Sequence, residues 1–126
     1  MPALTDLLEL ATEVRAEFEA AQIPPELLAW LYRQYNREVE AATFVAEAAK
    51  LFPRLNCGLA CVYLRHRLGL GRIIRGRYGD EAHTFLLVHG RTVMDITADQ
   101  YGGPPVYVGP LVLPWALPRL AVTRGE

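Results

Sequence analysis

The stretch 56–78, NCGLACVYLRHRLGLGRIIRGRY, changes its hydrophobic period halfway along and so decides the fold. Its first half predicts a helix from Cys57 to about Leu68, with Asn56 as the N-cap and glycines after its end. From Arg72 onward the pattern becomes that of a strand. The chain therefore changes from helical to extended structure within this stretch.

Upstream of this stretch, apolar spacing and proline positions predict three further helices. They run from about Asp6 to about Ala21 with Thr5 as the N-cap, over PELLAWLYRQYN from Pro25, and from Glu38 to Leu51. Phe52-Pro53 ends the third helix, since the residue before a proline disfavours helical backbone.

Downstream, strands are predicted over 82–88, 91–97 and 106–108, with a tight turn at His89-Gly90. The tail from Pro110 has too many prolines for a regular element but is too apolar for disorder, so we expect it to pack across the surface. Helices followed by an antiparallel sheet indicate an α+β fold. We predict one domain, 1–126, with a helical part (1–53), a core (54–109) and a packed tail (110–126).

Composition narrows the class of protein. The chain has 126 residues, 52% of them hydrophobic, which suits one domain with one core. A net charge of -1 gives no general attraction to nucleic acid or anionic lipid, and no apolar run reaches the length of a membrane span. The N-terminus lacks a signal-peptide pattern, so we expect a cytoplasmic protein, or one exported without such a signal. The oligomeric state stays open.

Two cysteines, Cys57 and Cys61, lie one helical turn apart on the predicted helix. Both can be small core residues, because free cysteine is among the most buried residue types. They differ in position: Cys57 falls in the first turn, where free backbone N–H groups and the helix dipole stabilise a thiolate. Cys61 lies a full turn inside, among apolar neighbours. If one of them reacts, we expect it to be Cys57.

Of the three histidines, only one has a sequence context that suggests a buried role. His66 lies on the polar side of its helix and His89 lies in a turn. His83 opens the apolar strand AHTFLLV. A histidine at the start of a strand is commonly structural, and it becomes a candidate base only with a partner.

Asp95, in RTVMDIT, is the candidate partner, because a carboxylate inside an apolar strand is costly unless it is hydrogen-bonded. The hairpin supplies a geometric test. A three-residue loop, 89–91, places His83 and Asp95 on one sheet face as diagonal neighbours, whereas a two-residue loop places them on opposite faces. A thiol, a base and an orienting carboxylate together follow the logic of cysteine catalysis.

The segments NCGLACVYLRHRLGLGRIIRGRY and HTFLLVHGRTVMDITADQY resemble the transglutaminase-like branch of the papain-like cysteine peptidase superfamily. The resemblance covers about 56–108, and DITADQY is similar to the corresponding ending in small bacterial and phage-associated members. It implies a papain-like core in which Cys57 is the nucleophile, His83 the base and Asp95 the orienting acid, with Ala60 as a small packing residue.

The segment before Cys57, LFPRLNC, has no glutamine of the kind that papain-type enzymes use to bind the oxyanion. Asn56, the Cys57 backbone N–H and Gln100 are alternatives, as is Gln34 if the second helix folds back. These alternatives stay open at the level of sequence.

The resulting expectation is a cysteine-dependent amide hydrolase, of the peptidase or protein glutamine deamidase type, acting on a peptide or protein through a thioester. It needs no cofactor and no metal. The alternative is a non-catalytic binding or structural module that retains the fold. A metal site using Cys57, Cys61 and His83 is a further possibility, although Cys-x3-Cys on a helix is a poor spacing for structural zinc.

Overall fold

The computed structural model describes residues 2–118 and confirms an α+β fold, with four helices followed by a five-stranded antiparallel sheet. The helices are α1 (Leu4–Glu19), α2 (Pro25–Tyr35), α3 (Ala41–Ala49) and α4 (Cys57–Leu68). The strands are β1 (Arg72–Tyr78), β2 (Glu81–Val88), β3 (Thr92–Asp95), β4 (Tyr107–Pro110) and β5 (Trp115–Ala116), with a short 3₁₀ helix, Ala98–Tyr101, after β3. Within residues 2–118, none of the helices has the length and apolar character needed to cross a membrane.

Helix α4 is the central helix, and its bounds are those the sequence predicted. Every residue from Gly58 to Leu64 is buried, because α2 packs on one side of the helix and the sheet on the other. The helix ends at Gly69, whose φ of 81° is the left-handed conformation that glycine adopts without strain. The first turn of α4 is therefore held in place from several directions.

The strand order β4-β3-β2-β1-β5 places β4 and β5 at opposite edges of the sheet. In a flat sheet these edges would lie about 19 Å apart, more than the short link 111–114 can span at about 3.4 Å per residue. The sheet therefore curls. The rings of Tyr107 on β4 and Trp115 on β5 stack with centroids 3.7 Å apart and join the two edges.

The curl gives the sheet a convex and a concave face with different partners. Convex-face residues such as Leu86 and Met94 join the core formed by the four helices. Concave-face residues, with Phe85 at their centre, pack against one another and against Trp115. Since side chains alternate along a strand, His83 shares the concave face with Phe85.

Two predicted helix starts are wrong, because carboxylate side chains accept backbone hydrogen bonds at other positions near the N-termini of these helices. Helix α1 begins at Leu4 rather than after a Thr5 cap, and the Asp6 carboxylate accepts a hydrogen bond from the Ala3 backbone N–H. Helix α3 begins at Ala41 rather than near Glu38, because the Glu40 side chain accepts from the Thr43 backbone N–H. Neither shift moves an apolar face away from the core.

The tail prediction is corrected in one respect, because the tail does contain a regular element. Trp115 and Ala116 form β5 and pair with Tyr78 and Arg77 of β1. The prolines at 114 and 118 flank this pair of residues, so neither interrupts the ladder. The tail beyond Pro118 lies outside the described residues.

Candidate active site

Asp95 is the polar centre of the concave face, and it is 2% exposed. Its Oδ2 lies 2.6 Å from His83 Nε2 and accepts a hydrogen bond of 2.7 Å from Trp115 Nε1. Its Oδ1 accepts from the Thr97 backbone N–H at 2.9 Å. These donors satisfy a buried charge that would otherwise be costly, and they fix both carboxylate oxygens.

The β2–β3 hairpin brings His83 and Asp95 together, and its register is the three-residue alternative. Val88 pairs with Thr92, which leaves 89–91 as the loop. The loop places His89 and Gly90 at φ of 55° and 74°, as a left-handed turn requires. The sequence left the loop length open, and the structure has the three-residue alternative. The hydrogen bond from the Thr97 backbone N–H to Asp95 ends β3 at Asp95 rather than at 97.

His83 lies between two acidic groups, the Asp95 carboxylate and the Cys57 thiol. Its Nε2 faces the carboxylate, so in the neutral ring the proton resides on Nε2 and the lone pair on Nδ1. Nδ1 is buried and makes no hydrogen bond to a residue in 2–118. Burial would lower the pKa of His83, but the hydrogen bond to Asp95 and the interaction with Cys57 outweigh burial and raise it to about 9.

Cys57 begins α4 and is only partly buried. Burial alone would raise the pKa of its thiol, but interaction with His83 and a hydrogen bond from the Thr84 backbone lower it below its ordinary value. The first hydrogen bond within the helix runs from Ala60 to Asn56, so the amides of the first turn precede the helical ladder. The site thus favours a thiolate beside an imidazolium.

Cys61 occupies a contrasting environment one turn further along α4. It is 2% exposed within the helical core, and burial followed by the proximity of Cys57 raises the pKa of its thiol well above the ordinary value. It therefore stays protonated and packs as a small apolar residue.

The structure assigns Asn56 a role other than oxyanion binding. Its side chain is buried, and Nδ2 donates to the carbonyls of Ala48 and Arg54 at 2.9 and 2.8 Å. Both amide hydrogens are thereby used, so the side chain has no donor free for an oxyanion. Its oxygen makes no capping hydrogen bond to α4 either, so the predicted N-cap is wrong. Asn56 instead fixes the segment between α3 and α4 that precedes Cys57.

The two candidate glutamines, Gln34 and Gln100, are not among the described residues that line the groove with Cys57. Gln100, in the 3₁₀ helix, borders a separate surface depression beside Lys50 and Asp99, and its Nε2 is buried without a partner among residues 2–118. Gln34 is exposed on α2, in a groove with Trp30. The Cys57 backbone N–H is the remaining sequence-based candidate for an oxyanion donor.

Two aromatic residues of this site were missed from sequence. Trp115 donates a hydrogen bond to Asp95 from a position 20 residues downstream. Tyr101 packs edge-on against the His83 ring, at 5.4 Å between centroids, while its hydroxyl donates to the Ala82 carbonyl. The motif DITADQY was a weak signal for Tyr101, its last residue. Nothing in the sequence around Trp115 indicates its contact with Asp95.

An open groove of about 430 Å³ leads to Cys57 and His83. Its wall includes the side chains of Tyr32, Tyr35 and Phe44, and its floor includes Gly58. Such a groove is where an extended acyl donor can lie against the thiol.

No group of three or more His, Cys, Asp or Glu side chains within residues 2–118 is arranged to hold a metal ion. Cys57, Cys61 and His83 therefore do not form such a group in the described part of the chain.

Comparison with protein-family models gives no match, and neither does comparison with the curated proteins or with the solved structures.

Proposed function

We propose that this protein is a cysteine-dependent amide hydrolase that uses Cys57, His83 and Asp95. One observation carries the proposal: a buried carboxylate binds one nitrogen of His83, and the same ring lowers the pKa of a thiol at a helix N-terminus. A structural histidine–aspartate pair would not need a partly exposed cysteine in a groove beside it.

The first half of the reaction forms a thioester. The Cys57 thiolate attacks the amide carbonyl carbon, and the carbonyl oxygen becomes an oxyanion facing the first-turn N–H groups of α4. The protonated His83 ring then donates a proton from Nδ1 to the amide nitrogen. The carbon–nitrogen bond breaks, and the amine or ammonia leaves.

The second half releases the acyl group. Neutral His83 accepts a proton from water at Nδ1, and the hydroxide attacks the thioester carbon. The carbon–sulfur bond breaks, which frees the carboxylic acid and restores the thiolate and imidazolium. Asp95 stays ionised throughout and holds the ring by Nε2.

The order of elements supports the proposed relation to the transglutaminase-like branch of papain-like enzymes. A nucleophile-bearing helix is followed by antiparallel strands that carry the base and then the acid. Glutamine deamidation and peptide hydrolysis both fit this arrangement. Both thiols are free, which suits the reducing cytoplasm we propose as its location.

The thioester is the species that tests this proposal. A library of peptide amides is incubated with the protein, quenched in acid and analysed by mass spectrometry of the fragment containing Cys57. We expect a hydroxylamine-sensitive acyl adduct on Cys57, together with amine or ammonia release. Turnover that persists in Cys57→Ala, or an acyl adduct on Cys61, would overturn the proposal.

The alternative, a non-catalytic module with the same fold, draws support from the side chain of Asn56, which has no hydrogen left for an oxyanion. Calorimetry with the same peptides separates the two. A module binds peptides equally well before and after the Cys57→Ala substitution, and it forms no adduct in either case.

A further inference from the structure

We propose that the groove beside Cys57 selects acyl donors that carry a large apolar side chain next to a carboxylate, which Arg75 binds. This inference rests on the proposed function, because it names the substrate class of the same site. An acidic peptide segment with an aromatic or branched apolar residue has the required chemistry.

The apolar half of the specificity comes from an aromatic wall. The rings of Tyr32 and Phe44 stack at 4.9 Å between centroids, and Tyr35 lies 5.5 Å from Tyr32. Leu55, at φ of 67° and 49% exposed, adds an apolar side chain to the same groove. A side chain of similar size gains buried apolar area against this wall.

Gly58 brings the wall against the nucleophile. A Cβ at this position would lie 3.1 Å from the Tyr32 ring and 3.4 Å from the Tyr35 ring. The absence of a side chain therefore lets both rings approach the first turn of α4 directly after Cys57. The apolar subsite is consequently adjacent to the thiol.

The charged half comes from Arg75. Arg75 pairs with Thr84 across β1 and β2, and both residues line the groove together with Cys57. Paired residues have Cα atoms about 4.5–5.5 Å apart, so the Arg75 backbone lies this close to Thr84, on the groove that Cys57 also lines.

Tyr35 orients the guanidinium without using its terminal nitrogens. Arg75 Nε donates to the Tyr35 hydroxyl at 3.0 Å, and Cζ lies 4.8 Å from the Tyr35 ring centroid. Its Nη atoms make no hydrogen bond or ion pair within residues 2–118. The hydrogen bond to Tyr35 raises the pKa of Arg75, and the charge of nearby Glu38 adds to this rise. A guanidinium fixed in this way presents paired donors that match a carboxylate.

Among the described residues, the lining of the groove contains no Asp or Glu side chain. The Cys57 thiolate and the His83 imidazolium offset each other, so the Arg75 guanidinium leaves the groove with a positive charge. An anionic group near the scissile amide is therefore attracted, whereas a cationic group is repelled.

The test uses dipeptidyl chloromethyl ketones with Phe at one position and Glu, Gln or Lys at the other, in both orders. Alkylation of Cys57 is followed by mass spectrometry, and iodoacetamide measures the intrinsic reactivity of the thiol. We expect the Glu probe to react about five times faster than the Gln probe, and the Lys probe to be slowest. Replacing Phe by Ala should slow every probe.

Arg75→Gln should bring the Glu-to-Gln rate ratio to about one, and Arg75→Glu should make the Lys probe the fastest. Arg72→Gln is the matched control, an exposed arginine on the same strand outside the groove, and should leave the ratio unchanged. If Cys57 reacts with iodoacetamide but the ratio is already one in the unaltered protein, the substrate class is wrong and the proposed function stands. If Cys57 is inert to iodoacetamide as well, the proposed function fails.

Discussion

Cys57 and Cys61 lie on the same helix, one turn apart, and their thiol pKa values shift in opposite directions. Cys57 has an imidazole, a backbone donor and the end of a helix beside it, whereas Cys61 has apolar side chains around it. The difference shows that the surroundings of each thiol, rather than its residue type, set the direction of its pKa shift. Burial raises the pKa of both thiols, and specific partners reverse that effect at Cys57.

The largest expected difference is in turnover. Cys57→Ser should reduce amide hydrolysis about 10⁴-fold, because the hydroxyl is a far weaker nucleophile beside this base. Cys61→Ser should keep the rate within about threefold, with a lower melting temperature from a buried hydroxyl. Steady-state kinetics and thermal denaturation measure both, and equal losses in the two variants would contradict the distinction.

Replacing His83 should shift the pKa of the Cys57 thiol upward, in the same direction as that of Cys61. In His83→Ala, we expect turnover to fall about 10²–10⁴-fold. The pKa of Cys57 should rise, since the partner that opposes desolvation is gone, and its alkylation by iodoacetamide should move to higher pH. The rate of alkylation as a function of pH gives both values, with His66→Ala as the exposed-histidine control. An unchanged profile would show that His83 does not act on the thiol.

Asp95→Asn tests whether the Asp95 carboxylate holds the His83 ring in its orientation. The amide has one acceptor oxygen, whereas the carboxylate accepts from His83 and Trp115 on one side and Thr97 on the other. At least one buried donor is left unsatisfied in either amide orientation, which should cost about 2 kcal/mol of folding free energy. We expect about 10²-fold lower turnover as well, because the ring loses its oriented tautomer. Denaturant unfolding and kinetics on the folded variant separate the two effects.

The smallest expected effect is at Trp115, which positions the carboxylate. Trp115→Phe removes the 2.7 Å bond to Asp95 but keeps an aromatic ring against Tyr107. We expect about 1 kcal/mol lower stability and a several-fold lower kcat, with a shifted pH–rate profile and little change in KM. Trp30→Phe is the matched control, since Trp30 is 54% exposed. A pH profile that stays in place would make Trp115 a purely structural residue.

The residues that were predictable from sequence are those governed by local patterns. Helical periodicity and a terminal glycine defined α4, and the apolar strand context singled out His83 and Asp95. The hairpin register could be posed as two alternatives but not chosen, because both leave apolar residues on each face. The β2–β3 loop in the structure decides between them.

What sequence did not provide depends on contacts between distant segments. Trp115 reaches Asp95 only because the sheet curls and a two-residue strand pairs with β1. Asn56 looked like a cap or a donor, but α3 supplies a carbonyl that takes its amide hydrogen. Neither contact leaves a periodic signal in the chain.

The most direct measurement is the site of alkylation in the native protein at neutral pH. Limiting iodoacetamide is added, the reaction is quenched, and the peptide containing both cysteines is fragmented to locate the label. We predict modification of Cys57 at a rate above that of an unperturbed thiol, with Cys61 labelled only after denaturation. Labelling of Cys61 first, or of neither cysteine until the protein unfolds, would contradict the account.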